Sequence, residues 1–265
     1  MSDPRSEGFA APGRAWLTPP EQLGQHVSEP TTRAFSVIIP TYNEAASLAA
    51  AIYSARRSGA GEIVVVDGGS TDATCTLAAQ LADRLLQTAP GRATQMNVGA
   101  HQARGDWLCF LHADCLLTPQ ALRQAARYLS RDGVAAACFR QYHLRRDWRF
   151  RCLDAGACAR VRCLGLAYGD QGLVLARRLF HRIGGFPEMP IFEDAALCRK
   201  LQAYGKILVL PCMIYVSPRR WHARSFWGVT LTNWFLLAAW CLGVPHSWLA
   251  RFRPPYTQPS SPKRT

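Results

Sequence analysis

The chain has 265 residues, of which 49% are hydrophobic, so it can bury one large α/β core or two small ones. A formal net charge of +13 favours phosphate-bearing ligands, an anionic membrane surface or nucleic acid as partners. The sequence has no zinc-finger spacing, helix-turn-helix signature or RNA-binding aromatic pattern, which makes nucleic acid the least favoured of these partners. The ten cysteines form no Cys-x-x-Cys pair, and we expect reduced thiols that mostly fill the core.

The first predicted element follows a polar tail. Residues 1–33 carry proline, glycine, serine and charge without apolar periodicity, which is typical of a disordered segment and not of a targeting peptide. Phe35–Pro40 then predicts a buried strand that the proline stops. After a turn, Ala45–Arg57 predicts a helix, with Asn43 as its N-cap.

A second strand–loop–helix unit comes next. Glu62–Val66 is a short apolar run, and the loop Asp67–Asp72 follows it with two glycines that permit a sharp turn. Thr71 or Asp72 can cap the helix after this loop. Two such units in a row predict a parallel sheet with right-handed crossovers. Neither loop has the glycine fingerprint of a dinucleotide site or a Walker lysine.

The strand predicted over Asp106–Leu111 ends at two potential metal ligands, His112 and Asp114. Residues two apart on an extended chain point the same way, so the imidazole and the carboxylate can share one ion at the carboxyl edge of the sheet. A strand end with a solvated aspartate explains the same tripeptide equally well.

The central part of the chain predicts further helices and strands. An Arg-rich segment with interleaved aromatic residues, 140–162, predicts an acceptor-side or membrane-facing helix, or a solvated basic helix. Two acidic residues, Glu193 and Asp194, open a later helix, where they also suit the helix macrodipole. The remaining predictions are a helix over Pro119–Ser130, a strand over Val134–Phe139, a loop into a strand over Tyr168–Leu175, a turn over Ile183–Pro187, a helix over Phe192–Leu201 and a strand over Ile207–Leu210.

The C-terminal part contains an uncharged segment. Ser225–Ala250 has no Lys, Arg, Asp or Glu and is rich in tryptophan and leucine, and arginines flank it. We predict interfacial or dimer-forming helices first, a membrane span second and an intramolecular core third, because Gly243-Val-Pro245 breaks the helix. Residues 254–265 are predicted to be disordered.

Several motifs, in order, carry a family resemblance. Ser36–Glu44, Ile63–Asp72 and His112-Ala113-Asp114 resemble family 2 glycosyltransferases of the GT-A fold, and the resemblance runs from about Phe35 to Leu210. It implies an α/β, Rossmann-like and mostly parallel sheet flanked by helices. We therefore expect a GT-A domain over 34–222, with an apolar helical extension over 223–253 that serves as a membrane-interface or dimerisation segment.

The resemblance also implies site residues. Arg92 is expected to replace the family's arginine, because Met96 stands at that position and residues four apart share a helix face. Arg220 follows the last strand and can contact a diphosphate. The full nucleotide-sugar set is Pro40, Thr41, Tyr42, Glu44, Asp67, Gly69, Arg92, Asn97, His112, Ala113, Asp114 and Arg220.

The remaining implied roles concern the metal and the reaction. Asp114, and His112 where the family usually has an aspartate, are the expected ligands of Mn²⁺ or Mg²⁺; His112 can instead contact ribose or phosphate. Asp194 is the expected catalytic base, and Glu193 is its neighbour in the family's acidic pair. Asp170, Gln171 and Trp221 are expected on the acceptor side.

The sequence therefore predicts a metal-dependent inverting glycosyltransferase that uses a nucleotide-sugar donor and a hydroxyl acceptor. UDP is the nucleotide that we expect first in the donor. Its finer motifs resemble a bacterial branch associated with arsenosugar biosynthesis, while a cell-envelope or lipid acceptor stays open. A nucleotidyltransferase of similar fold and a non-catalytic, membrane-associated sugar-nucleotide binder are the alternatives. We expect a cytoplasmic protein that lies at the inner face of the membrane if it contacts lipid. If residues 225–250 do not contact a membrane, we expect them to form a homodimer interface.

Overall fold

One eight-stranded sheet forms the centre of the computed structural model, which describes residues 35–145, 147–218 and 226–252. Two predicted site residues, Arg220 and Trp221, lie outside the described residues. The strands are β1 Phe35–Thr41, β2 Glu62–Asp67, β3 Arg84–Gln87, β4 Trp107–Phe110, β5 Cys115–Leu117, β6 Val134–His143, β7 Leu173–Ala176 and β8 Lys206–Val216.

The strand order is β3-β2-β1-β4-β7-β6-β8-β5, and the directions are mixed. Strands β3, β2, β1 and β4 are parallel to their neighbours, as the two strand–loop–helix units predict. Strand β7 then enters between β4 and β6 and is antiparallel to both, and β5 is antiparallel to β8. The prediction of a mostly parallel sheet is therefore too simple. Strand β7, which is distant in sequence from β4, pairs with it in the antiparallel direction and makes the sheet mixed.

Helices cover both faces of this sheet. Their bounds are α1 Ala45–Ser58, α2 Thr74–Leu81, α3 Arg92–Gln102, α4 Ala121–Leu129, α5 Trp148–Leu164, α6 Arg177–Arg182, α7 Glu193–Gln202, α8 Phe226–Cys241 and α9 His246–Leu249, with 3₁₀ turns at Gly169–Gln171 and Ala250–Phe252. Along β1 and β2, successive side chains enter opposite cores: Ile38 and Val64 pack on one face, Val37 and Ile63 on the other. Burial on both faces explains why these strands read as continuous apolar runs.

Two local predictions have different outcomes. Asn43 does not cap α1: its backbone is left-handed, with φ of 54°, and its side-chain oxygen accepts a hydrogen bond from the amide of Thr71 at 2.7 Å. It therefore joins the loops after β1 and β2. All ten cysteines are free in this structure, and six of them, Cys109, Cys115, Cys138, Cys158, Cys198 and Cys212, are buried, as expected of residues that mostly fill the core.

Helix α8 packs one face on the core and leaves the other in solvent. Leu236, Leu237 and Trp240 are buried, and the Trp240 ring lies 5.5 Å from that of Phe192, beside α7. On the opposite side, Phe235 is 68% exposed. None of the helices in the described ranges has the length and apolar character needed to cross a bilayer.

Candidate active site

The turn between β4 and β5 brings His112 and Asp114 to the carboxyl edge of the sheet. Strand β4 ends at Phe110, and the amide of Cys115 donates to the carbonyl of His112 at 3.0 Å. The two predicted ligands therefore lie on a tight turn and not on extended chain, which corrects the geometry expected from strand alternation. Both residues nevertheless face the same space, because both line the two cavities described below.

The ends of β1 and β2 are tied together by Asp67. Its carboxylate accepts from the Thr41 hydroxyl at 3.1 Å and from the amides of Gly69 and Ser70 at 2.9 and 2.8 Å. Burial alone would raise the pKa of Asp67, but the hydrogen bonds from Ser70 and Gly69 outweigh it and hold the pKa below its ordinary value. Asp67 is thus a buried carboxylate that shapes the loop.

Arg92 begins α3 and reaches the far side of the site. Its Nη1 atom lies 3.2 Å from Oε1 of Glu193, and about a third of its side chain is exposed. Burial disfavours its charge, but the carboxylates of Glu193, Asp194 and Asp114 outweigh that effect and raise the pKa of Arg92. Met96, four residues later, is fully buried in the core, so of these two residues Arg92 is the one that faces the site.

The first turn of α7 supplies two buried carboxylates. Asp194 Oδ2 accepts from the amide of Gly169 at 2.9 Å, while Glu193 pairs with Arg92. The side-chain bonds of both residues thus run to other segments, and neither carboxylate caps an amide of α7 within the described chain. Burial, and next the charge of Glu193, raise the pKa of Asp194 to about 7, although Arg92 opposes this.

Gly169 lets three elements meet at this point. A Cβ atom there would overlap the His112 ring and lie 3.1 Å from Asp194 Oδ2. Only a residue without a side chain allows the 3₁₀ turn to approach both groups so closely. The turn of His112, the Gly169 backbone and the start of α7 are consequently packed into one unit.

Two cavities share this unit. The smaller, about 260 Å³, is lined by the ends of β1 and α3 and the β4–β5 turn: Pro40, Thr41, Tyr42, Glu44, Pro90, Gly91, Arg92, Gln95, His112, Ala113 and Asp114. The larger, about 310 Å³, contains Asp170, Glu193 and Asp194 and extends between α5 and α8. Arg92, His112 and Asp114 line both cavities and form the boundary between them.

Of the predicted site residues that the structure describes, four are not among those that line either cavity. Asp67 is occupied within its loop, and Gly69 only donates its amide there. The side-chain amide of Asn97 makes two 2.9 Å bonds with the backbone of Phe186. Gln171 is fully buried and accepts from Arg160 at 2.7 Å. These side chains support the site's loops instead of facing the open space.

Two other glutamines have roles that the sequence analysis missed. Gln95 lines the smaller cavity and donates to the carbonyls of Thr41 and Val66, both at 2.8 Å. A polar residue at a core-facing position of α3, beside buried Met96, is the signal that could have identified it. Gln141 donates to Asp170 Oδ2 at 3.2 Å in the larger cavity, and no sequence signal marks it.

The residues at the boundary fit a divalent cation that is completed by its substrate. Asp114 offers carboxylate oxygens, and His112 offers an imidazole that suits Mn²⁺. Within the described ranges no group of three or more histidine, cysteine, aspartate or glutamate side chains could hold a metal by itself. A site of one or two protein ligands, with diphosphate oxygens and water as the rest, is typical of Mg²⁺-type centres on phosphate substrates.

Comparison with known sequences identifies part of the chain. Residues 36–157 match the family model described as Glycosyl transferase family 2. A "PGL/p-HBAD biosynthesis glycosyltransferase" of Mycobacterium bovis is 46% identical over 89 residues, which are 30% of this chain and 35% of the relative. "Glycosyltransferase AglJ" of Haloferax volcanii is 47% identical over 49 residues, 18% of this chain and 16% of that protein. The chain thus spans about a third or less of the length of these relatives.

Solved structures share the fold over a longer stretch. The mannosyltransferase PcManGT from Pyrobaculum calidifontis, in complex with GDP-Man and Mn²⁺, is 24% identical with a TM-score of 0.57, covering 75% of this chain and 61% of that one. TarS 1–349 of S. aureus, in complex with UDP-GlcNAc, is 20% identical with a TM-score of 0.55, covering 69% and 58%. Residues 36–157 therefore match glycosyltransferase family 2, and the chain shares its fold with the solved mannosyltransferase and with TarS.

Proposed function

We propose that the protein is a metal-dependent, inverting glycosyltransferase that moves a sugar from a nucleotide-sugar to an acceptor hydroxyl. The observation that carries the proposal is the pair of cavities with a common boundary at Arg92, His112 and Asp114. A transferase needs two substrates whose reacting atoms meet at one point. Asp194, with its raised pKa, lies in the larger cavity only.

The donor is proposed to occupy the smaller cavity. Thr41 and Tyr42 lie at its β1 end and the β4–β5 turn at the other, which suits a nucleoside followed by a diphosphate. The guanidinium of Arg92 faces the diphosphate from the start of α3. The complexes of the solved neighbours with GDP-Man and with UDP-GlcNAc support a nucleotide-sugar without deciding the base.

The acceptor hydroxyl is proposed to approach from the larger cavity. Its oxygen attacks the anomeric carbon on the face opposite to the diphosphate, the new carbon–oxygen bond forms, and the bond to the diphosphate oxygen breaks. The hydroxyl proton passes to the Asp194 carboxylate, whose raised pKa makes it a stronger base than an exposed aspartate. A single displacement of this kind inverts the anomeric configuration.

The metal has one part in this proposal. A divalent ion held by Asp114 and His112 would offset the negative charge on the departing diphosphate. In the alternative arrangement, His112 does not ligate the metal and instead contacts the ribose or a phosphate of the donor directly. The Mn²⁺ in the PcManGT complex supports the proposal that a divalent ion takes part in the reaction.

The pathway and location are also proposals. The motif resemblance supports arsenosugar biosynthesis, whereas the apolar lining of the larger cavity supports a lipid or cell-envelope acceptor. Free cysteines and a basic surface support a cytoplasmic site of action, at the inner face of the membrane. A nucleotidyltransferase or a non-catalytic binder would have no use for a buried base in the larger cavity.

The variant Asp194→Asn tests the catalytic role. It keeps the shape and removes the charge, so we expect donor affinity near that of the wild type and transfer slower by roughly 10²- to 10⁴-fold. Donor affinity is measured by calorimetric titration with UDP-sugar and Mn²⁺. Slow donor hydrolysis serves as the rate readout until an acceptor is known.

Glu193→Gln is the matched control. It removes the negative charge that pairs with Arg92 but leaves Asp194 in place, so we expect a smaller loss of rate. Near-normal turnover by Asp194→Asn would refute the base assignment and transfer it to Asp170, which lies in the same cavity. A wild-type protein that binds donor and never turns it over, even by hydrolysis, would support the non-catalytic binder instead.

A further inference from the structure

The larger cavity extends away from the carboxylates between two helices. On α5 the lining residues recur every three or four positions, through Arg149, Leu153, Gly156 and Arg160. On α8, Phe226, Thr230, Trp234 and Leu237 do the same. This spacing places one face of each helix toward the cavity. The cavity therefore has a floor at the sheet edge and walls made by α5 and α8.

Floor and walls differ in chemistry. Every acidic lining residue comes from the sheet edge, the 3₁₀ turn or the start of α7, and neither wall contributes one. The walls carry large apolar side chains instead: Trp148, Leu153, Phe226, Trp227, Trp234 and Leu237.

Three of the polar wall residues use their hydrogen-bonding groups within the protein, and Asn233 is a further polar residue of the lining. Arg149 donates to Asp147, and Arg160 donates to Gln171 and to the carbonyl of Leu166. The Thr230 hydroxyl donates to the carbonyl of Phe226 at 2.8 Å. A polyhydroxylated ligand lying here would lose water contacts without replacing them, which costs free energy for each unsatisfied group.

The cavity opens onto an aromatic surface. Three tryptophans, Trp148, Trp227 and Trp234, line the cavity and are also 65%, 51% and 48% exposed. On α8 this surface continues to Leu231 and Phe235, which are 64% and 68% exposed. A ligand longer than the cavity can thus continue along the apolar side chains of Leu231 and Phe235.

We infer that the acceptor is an amphiphilic alcohol. Its hydroxyl lies at Asp194, its apolar chain lies between α5 and α8, and the chain leaves the cavity past the three tryptophans. This inference rests on the proposed function, because it assumes that Asp194 faces the acceptor. It narrows the substrate class to hydroxyl-bearing lipids or lipid-like alcohols and excludes free sugars as the main acceptor.

The test uses linear alcohols as probes of the full-length protein. Tryptophan fluorescence reports binding, because three of the eight tryptophans line the cavity. From 1-hexanol to 1-decanol we expect affinity to rise by about fourfold per methylene group, as burial of each CH₂ predicts. Glucose and glycerol should leave the fluorescence unchanged at the same concentrations.

A cavity-filling variant localises the binding. A Cβ atom at Gly156 would lie 3.7 Å from the Trp234 ring, an ordinary contact, so Gly156→Ala fits and serves as the control. The longer side chain of Gly156→Leu extends into the space between α5 and α8. We expect Gly156→Leu to weaken 1-decanol binding by at least about tenfold. Gly156→Ala should bind it like the wild type, and both variants should bind UDP with Mn²⁺ normally.

The outcomes separate this inference from the proposed function. Equal 1-decanol binding by both variants, no dependence on chain length, or stronger binding of glucose would overturn the amphiphilic acceptor while leaving sugar transfer intact. Failure of the donor to bind or react in the wild type would overturn the proposed function, whatever the alcohols do. A fold defect in Gly156→Leu would show as lost UDP binding, and Leu153→Trp then fills the same wall.

Discussion

Asp194 is the proposed base, and its surroundings change the pKa of its carboxyl group. Burial, and next the charge of Glu193, disfavour its charged form, and Asp170 adds to this, while Arg92 and the Gly169 amide only partly offset these effects. Its pKa is therefore raised from the ordinary value of 3.8 to about 7. A buried carboxylate with a raised pKa lowers the stability of the folded protein, but it can serve as a general base.

The pH dependence should reveal this carboxylate. Since the reaction needs the deprotonated form, we expect the rate to be half-maximal near pH 7 and to fall about tenfold per unit below it. Stability should change in the opposite direction. The folded protein binds a proton that the unfolded chain has released, so this contribution is complete below pH 3.8, declines as the pH rises and is absent above about 7.

The measurement compares wild type with Asp194→Asn from pH 5 to pH 8. The melting temperature of Asp194→Asn relative to wild type should increase across this range, because the variant has no buried charge to form. A constant difference between the two melting temperatures would contradict the raised pKa.

Asp114 carries the prediction about the metal. Asp114→Asn should abolish Mn²⁺-dependent UDP binding, a larger loss than the roughly 10- to 100-fold that removal of an outer-sphere partner costs. Calorimetric titration with Mn²⁺ and with EDTA measures it. The companion variant His112→Gln separates the two roles of that side chain, since a direct contact would lower affinity and leave the metal dependence intact. Undiminished metal-dependent binding by Asp114→Asn would refute the assignment of Asp114 as a ligand.

At the scale of elements, α8 has two apolar faces. One packs into the core through Leu236, Leu237 and Trp240, and the other exposes Leu231 and Phe235. A helix that is apolar all round is not stable in water as a free surface unless something covers its outer side. The predicted role of 225–250 in association therefore applies to the exposed face alone.

We expect the protein to bind liposomes that contain anionic lipid, because aromatic side chains and positive charge both favour the interface. The variants Leu231→Lys and Phe235→Lys should lower this binding while changing stability by only about 0.5 kcal/mol, since both positions are exposed. Sedimentation with liposomes and analytical ultracentrifugation measure the two forms of association. A wild-type protein that stays monomeric and ignores the liposomes would contradict a role for this face.

At the scale of the whole molecule, the site depends on residues far apart in sequence. Thr41, Arg92, Asp114 and Glu193 reach one region because β1 and β4 are adjacent and parallel and α7 packs beside them. Ligand binding to such a site should stabilise the entire fold, because the unfolded chain cannot assemble it.

A thermal-shift panel tests this coupling. With nucleotide at about 100 times its dissociation constant the gain is about 2.7 kcal/mol. For a protein of this size that corresponds to a rise in melting temperature of about 5–10 °C. We expect this rise for UDP or GDP with Mn²⁺ and its loss in EDTA. An equal rise in EDTA would contradict metal dependence, and no rise with either nucleotide would contradict the donor assignment.

The sequence by itself determined the helices and strands, and it placed the functional residues at the carboxyl ends of the strands. The apolar runs of β1, β2 and β4 are buried on both faces, so their boundaries are visible locally, and the carboxyl ends of parallel strands meet at one edge. Thr41 and Asp114 could therefore be placed at one edge of the sheet before any tertiary structure, whereas Asp194 was assigned to the same site only through the family resemblance. The family motifs then indicated which of these site residues are expected to face the donor.

Only the tertiary structure decided which polar side chains face open space. Asp67, Asn97 and Gln171 belong to the same motifs, yet their hydrogen bonds go to neighbouring backbone and side chains, which depends on packing between distant segments. The antiparallel insertion of β7 and the cavity between α5 and α8 have the same origin. Local pattern specifies which residues are apolar and where a chain turns, whereas the partner across a sheet or a helix pair is chosen by the packing of the whole chain.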